Sequence, residues 1–151
     1  MRGWPWLGRR GAAAVELAIA LPITAVLLGN LVDYGMMLRH HAQLAAGVAN
    51  AASYASRSGA GVSTATLTGI VTASSWLTGA TASATAAACY CPTGTPRTLG
   101  AAVACTATCA DGGAAQRYMT VTGSYGFTPS FPLVSAGGTR TLTHSATVVV
   151  R

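Results

Sequence analysis

Few side chains in this sequence are suited to catalysis, and carboxylates are the scarcest of them. Only Glu16, Asp33 and Asp111 are acidic, and the first two lie in a long apolar stretch. Asp111 stands in an Asp-Gly-Gly run that is typical of a turn. The remainder of the chain therefore lacks paired carboxylates for acid–base chemistry, and the motifs GxSxG, HExxH and GxxxxGK[ST] do not occur in the sequence. We predict a protein that is not an enzyme and that uses no cofactor, no metal and no small-molecule substrate.

The four cysteines are the second set of residues with chemistry of their own. Cys89 and Cys91 form a CxC pair, and after thirteen intervening residues Cys105 and Cys109 form CxxxC. In a small exported domain this pattern predicts two disulfides, each contributing about 2–4 kcal/mol. Of the three connectivities we favour the cross-pairing of one pair with the other, because the two cysteines of CxC are poorly placed for each other. Zinc is the alternative, but structural zinc sites prefer two to four residues between paired ligands.

The element that must position these residues is the apolar stretch over residues 9–39. Residues 17–32 carry no charge, and a bilayer core of about 30 Å needs about 20 mostly apolar helical residues, so the stretch can span a membrane. Arg2, Arg9 and Arg10 come before the apolar residues of this stretch, with no acid among them, which predicts a cytoplasmic N-terminus and an extracytoplasmic C-terminal domain. A secretory signal peptide is the main rival, although its apolar region is shorter.

Basic residues do not indicate a nucleic-acid partner. The net charge is +6, but all nine basic residues are Arg, they are scattered along the chain, and three precede the apolar stretch. No basic run interleaved with aromatic residues is present in the sequence. With 51% hydrophobic and 8% charged residues, the chain is too apolar for a typical soluble protein.

The helical pattern continues beyond the membrane-length segment. Pro22 removes one backbone hydrogen bond and predicts a bend, or only an incidental kink. Small residues recur at helical spacing to about Ala55, so about half of the helix must stand outside the bilayer. This outer half of the helix packs either on its own domain or on other subunits, and we favour packing on other subunits. The recurring residues are Leu38, Ala42, Ala45, Ala49 and Ala52.

The C-terminal part of the sequence predicts a small domain with an antiparallel sheet. A second helix is expected over residues 64–77, and the Ala/Thr/Ser run from Thr78 predicts a loop or edge strand. Apolar and polar residues alternate over 118–127 and 141–150, which indicates an antiparallel strand pair, with a third strand near the cysteines. We therefore predict an α+β fold with a leader at 1–11, a transmembrane and extended helix at 12–57 and an exported domain at 58–151.

The N-terminal region resembles the TadE/TadG family of pilin-like proteins from tight-adherence (Flp) pilus systems. The similarity covers residues 9–54 and rests on the Arg-Arg-Gly leader, the Ala-Val-Glu that ends at Glu16, the Leu-Pro that ends at Pro22, and the run Asp33, Tyr34 and Gly35. A weaker similarity occurs in RYMTVTGSYGFTPSFPL and TLTHSATVVVR, near the C-terminus.

The resemblance implies processing and assembly. A prepilin peptidase would cut between Gly11 and Ala12, and Glu16 would pair with the new terminal amine of a neighbouring subunit, which sets assembly register. The alternative for Glu16 is a shallow position in the bilayer, from which its carboxylate reaches the lipid head groups. The implied partners are the membrane, the peptidase, other pilin-like subunits and the pilus assembly machinery.

Two functions follow as expectations. The first is a pilin-like minor subunit, or pseudopilin, held in the cytoplasmic membrane and destined for a surface pilus. The alternative is an unprocessed single-pass anchor for an exported domain with a binding or envelope role.

Overall fold

A computed structural model describes the backbone of residues 7–94, 98–131 and 138–151, and their side chains except for residues 7–10 and 12. The predicted α+β fold is confirmed. Residues 1–6 of the predicted leader lie outside the described residues. The helices and strands are α1 Leu7–Ser58, α2 Thr64–Ser75, β1 Thr81–Ala84, β2 Ala88–Thr93, β3 Thr98–Val103, β4 Gln116–Phe127 and β5 Arg140–Val149.

The chain divides into two compact units. The anchor unit comprises Met1–Leu38 and Thr128–Thr139, and the sheet unit comprises Arg39–Phe127 and Arg140–Arg151. The connector between β4 and β5 thus belongs to the same unit as the first half of α1.

Helix α1 continues through Pro22 and ends only at Ser58. It begins at Leu7, ahead of the expected start at Ala12, since Gly8 and Gly11 cost about 1 kcal/mol each without ending a helix. It ends where Gly59 adopts a left-handed φ of 81°, and the Gly59 amide donates to the Ala55 carbonyl at 3.1 Å.

Helix α2 follows almost at once and is capped at both ends. The Ser63 hydroxyl accepts a hydrogen bond from the Thr66 amide at 3.0 Å. The helix stops at Ser75, two residues before the expected end, because Trp76 adopts a left-handed φ of 56°. Leu67 and Val71 are buried, and Trp76 is exposed.

The sheet is antiparallel and β4 is its central strand. The predicted pair of β4 with β5 is confirmed and runs from Tyr118 opposite Val149 to Phe127 opposite Arg140. The other edge of β4 pairs with β1 and with the start of β2, and β3 pairs with β2. The Ala/Thr/Ser run therefore contains a strand, β1, and two strands lie near the cysteines.

The core of the sheet unit lies between the sheet and the two helices. Alternate β4 residues Met119 and Val121 face inward, as the period of two predicts. Gly123 continues that face without a side chain because a Cβ there would lie 2.9 Å from Leu44 Cδ1 and 3.0 Å from Val48 Cγ2. The buried cluster contains Val48, Ala51, Ala55, Leu67, Val71, Met119, Val121 and Val150.

One face of the second half of α1 packs on its own domain, and the favoured packing of this helix on other subunits stays a prediction. Its buried side chains include Leu44, Val48 and Ala51, because the larger aliphatic residues lie on that face. Ala42 and Ala49 of the small-residue pattern remain exposed.

Two disulfides join β2 to the segment that follows β3. Cys89 pairs with Cys105 and Cys91 with Cys109, with Cα–Cα distances of 5.1 and 5.4 Å. The disulfides predicted from the sequence are confirmed, and the pairing is one of the two cross-pairings. Asp111 forms the expected turn, in which its Oδ1 accepts from the Gly113 amide at 3.0 Å.

Candidate functional site

The first half of α1 exposes large apolar side chains over most of its surface. Their exposed fractions of 55–67% are far above those of a core helix, and among the described residues this is the one helix long and apolar enough to cross a membrane. Single-pass membrane anchoring is the natural use of such a surface. The residues are Val15, Leu17, Ile19, Leu21, Ile23, Leu27, Leu28, Leu31 and Val32.

Gly11 and Glu16, both singled out from the sequence, lie on the first turns of this exposed helix. A Cβ placed on Gly11 would meet no atom within 4 Å, so its surroundings leave the main chain open to approach. Glu16 is exposed and stands between Val15 and Leu17, which are exposed as well. The carboxylate therefore occupies an apolar surface. The Ala12 side chain lies outside the described ones.

Pro22 lies inside α1, with helical residues on both sides. Because proline has no amide hydrogen, the Ala18 carbonyl has no donor at that position. Two residues along, the Thr24 hydroxyl donates to the Ala20 carbonyl at 2.7 Å. The bend at Pro22 stays a prediction.

Asp33 has a structural partner that sequence reasoning missed. Its side chain is only 6% exposed. Oδ1 accepts a hydrogen bond from the Ser130 amide at 3.0 Å, and Oδ2 accepts one from the Phe131 amide at 2.7 Å. Both oxygens of one carboxylate thus hold two successive main-chain amides of the β4–β5 connector. Hydrogen bonds to an ionised acceptor are the strong ones, at about 1.5–3 kcal/mol each.

Gly29, one helical turn before Asp33, provides the second half of this contact. A Cβ on Gly29 would lie 2.8 Å from Cγ and from Cδ1 of the Phe131 ring. The ring therefore rests directly on the backbone of α1, where only glycine leaves room for it. We call Gly29, Asp33, Ser130 and Phe131 the connector clamp.

The only sequence signal for the clamp was an acid in an apolar helix. Such a charge is costly without a partner, about 2.5–3.5 kcal/mol at the bilayer centre, and so it predicts that a partner exists. The partner lies 97 residues further along the chain, so no local spacing identifies it.

The three histidines make packing contacts within the sheet unit. The His40 ring lies edge-on to Tyr125 and Phe127 at centroid distances of 5.3 and 5.6 Å. His41 lies edge-on to His144 at 5.7 Å. Among the described residues no group of three or more metal-ligating side chains is present, and these contacts place His144 in a packing role.

Part of the chain matches a protein-family model. Residues 11–53 match the model of the family described as TadE-like protein, which is less than a third of the chain. The match confirms the resemblance predicted for this region. The weaker similarity near the C-terminus lies outside the matched residues. Comparisons with curated proteins and with solved structures give no significant match.

Proposed function

We propose that this chain, TadE-like over residues 11–53, is a pilin-like minor subunit, or pseudopilin, of a tight-adherence pilus system. One observation carries the proposal: the matched segment includes the part of α1 that exposes apolar side chains over most of its surface, with Glu16 on that surface. A helix of this kind must be covered either by lipid or by similar helices of other subunits.

The proposed orientation places the N-terminus in the cytoplasm and the sheet unit outside. Arginines precede the apolar segment, and positive charge is retained on the cytoplasmic side. The two disulfides of the sheet unit fit an oxidising compartment, because cytosolic thiols are kept reduced. The sheet unit is then delivered to the extracytoplasmic side of the cytoplasmic membrane and, after assembly, to a surface pilus.

The proposed processing step is cleavage between Gly11 and Ala12 by a prepilin peptidase. Cleavage leaves a charged amine on Ala12 at the cytoplasmic edge of the helix. Glu16 lies four residues from that amine, or about 6 Å along the helix axis. In an assembled filament the Glu16 carboxylate pairs with the terminal amine of a neighbouring subunit, so that neither charge remains alone in an apolar environment.

The nature of the matched family also supports a role in assembly. TadE-like proteins are pilus-associated structural proteins and not an enzyme family. Glu16 accordingly acts on subunit register, and the partners of the chain are the peptidase, other pilin-like subunits and the assembly machinery.

Processing is tested by replacing Gly11 with leucine. Gly35→Leu is the matched control, because both glycines lie on α1 and a Cβ added to either would have no atom within 4 Å. With the peptidase co-expressed, Gly11→Leu should remain at full length while Gly35→Leu is shortened like the wild type. Shortening of Gly11→Leu to the wild-type product would contradict cleavage at this bond.

Assembly is tested by Glu16→Gln, which keeps the size of the side chain and removes its charge. The variant should be shortened normally but should no longer enter the pilus fraction sheared from cells. Normal incorporation would refute the pairing role. A wild-type chain that stays at full length in the membrane would support the alternative, an anchored exported domain without processing.

A further inference from the structure

We propose that the first part of the β4–β5 connector, residues 128–131, is a second membrane contact, with the Phe131 ring inserted at the outer boundary of the lipid bilayer. The lipid partner is the phospholipid of the extracytoplasmic leaflet. This inference rests on the membrane anchoring in the proposed function, but not on processing or pilus assembly.

The depth of the clamp along α1 is the first argument. From Ala12 to Asp33 the helix rises about 32 Å at 1.5 Å per residue, against a hydrocarbon core of about 30 Å. The uncharged run of the sequence ends immediately before Asp33. With Ala12 at the cytoplasmic edge, Asp33 and the connector amides that it holds lie at the opposite edge.

The surface around the clamp is the second argument. One side of the Phe131 ring rests on Gly29, yet the residue is still 46% exposed. The lipid-facing surface of α1 extends to this level through Leu31 and Val32, and Tyr34, which is 57% exposed, lies just beyond. Tyrosine is enriched in the aromatic belts at membrane boundaries, and the exposed Tyr34 fits such a boundary close to the level of Phe131. The ring therefore continues the anchor's apolar surface.

The hydrogen bonds of Asp33 are the third argument. A loop at the membrane boundary has fewer water partners for its amides, and an acid there has fewer for its carboxylate. The bonds to Ser130 and Phe131 satisfy both groups at once, at 3.0 and 2.7 Å. The clamp thus lets a main-chain segment from between two strands lie against lipid.

Depth-dependent fluorescence quenching tests the contact in the full chain. Trp4, Trp6 and Trp76 are replaced by phenylalanine, and Phe131→Trp provides the single probe in phosphatidylcholine/phosphatidylglycerol vesicles. Bromine is placed on the lipid chains either near the head groups or near the chain ends. Two reference proteins carry the single tryptophan at Ile23, near the middle of the apolar segment, or at the native Trp76, which is exposed in the sheet unit.

The probe at position 131 should lose emission mainly with bromine near the head groups and should be shielded from aqueous iodide. The probe at Ile23 should respond mainly to bromine near the chain ends, and Trp76 only to iodide. Adding Asp33→Asn should weaken the lipid quenching at position 131 and leave that at Ile23 unchanged, because the clamp loses its charge.

The proposal is refuted if the probe at position 131 behaves like Trp76. It is also refuted if that probe is shielded from both iodide and lipid bromine, since a second copy of the chain would then cover it. Loss of lipid quenching at Ile23 would instead contradict the membrane anchor, so failure of the proposed function is recognised separately.

Discussion

Replacing Gly47 by alanine should destabilise the sheet unit although alanine is the better helix former. Gly47 is buried where α1 meets α2. A Cβ there would lie 2.9 Å from the Val71 carbonyl oxygen, 3.1 Å from Ser75 Cβ and 3.2 Å from the Ser75 amide nitrogen. Two of these neighbours are main-chain atoms and cannot rotate away, so the helices must separate.

Two opposing effects set the change in the free energy of unfolding caused by Gly47→Ala. Alanine gains about 0.8–1.0 kcal/mol over glycine in a helix interior, and overpacking of a filled core costs about 1–3 kcal/mol. Gly69 of α2 is the matched control, because it is exposed and a Cβ there meets nothing within 4 Å. Gly69→Ala should stabilise the protein by nearly the full helix gain. The difference between the two variants therefore isolates the packing cost.

The assay is thermal unfolding of the oxidised full chain in detergent, followed by near-ultraviolet circular dichroism. One kcal/mol corresponds to roughly 4–8 °C for a domain of 60–100 residues. Gly47→Ala should therefore melt at least about 4 °C below Gly69→Ala, and also below the wild type. Equal upward shifts for both variants would refute the close approach of α1 and α2 at this position.

Two further outcomes are expected in the same unfolding assay. Replacing Cys89 and Cys105 by alanine should lower the melting temperature more than replacing Cys91 and Cys109. Each disulfide contributes about 2–4 kcal/mol to stability. Because Cys89 is only 2% exposed, its truncation also leaves a cavity in the core. Equal losses would count against that core position. Ser63→Ala should cost about 1 kcal/mol, because the Thr66 amide loses its cap; an unchanged melting temperature would show that the cap contributes nothing.

Local periodicity explains which elements were predictable. Strands β4 and β5 alternate residues of clearly different polarity, and α2 carries Leu67 and Val71 on one face, so their burial follows from spacing alone. Strand β1 consists of Thr, Ala and Ser, which distinguish poorly between a strand and a loop. Its conformation is set by pairing with β4, a contact that is distant in sequence.

In the candidate site, too, residues with a local sequence pattern were predictable, and residues whose role depends on distant contacts were not. Gly11, Glu16 and Pro22 were identified because their pattern is local and characteristic of a family. The role of Asp33 depends on the connector amides 97 and 98 residues away, and the role of Gly29 depends on where the Phe131 ring lies. The role of Gly123 was likewise not predictable from the sequence. Glycine interrupts the apolar face of β4 there because the Leu44 and Val48 side chains occupy the space of a Cβ.

Intact-mass measurement combined with N-terminal sequencing of the chain extracted from membranes tests the central claim most directly. Processing predicts a protein that begins at Ala12 and lacks residues 1–11. A protein that still begins at Met1 would contradict the processed-pilin account and support a plain membrane anchor. One that begins beyond Leu38 would also contradict it, because a conventional signal peptide would then have released the sheet unit.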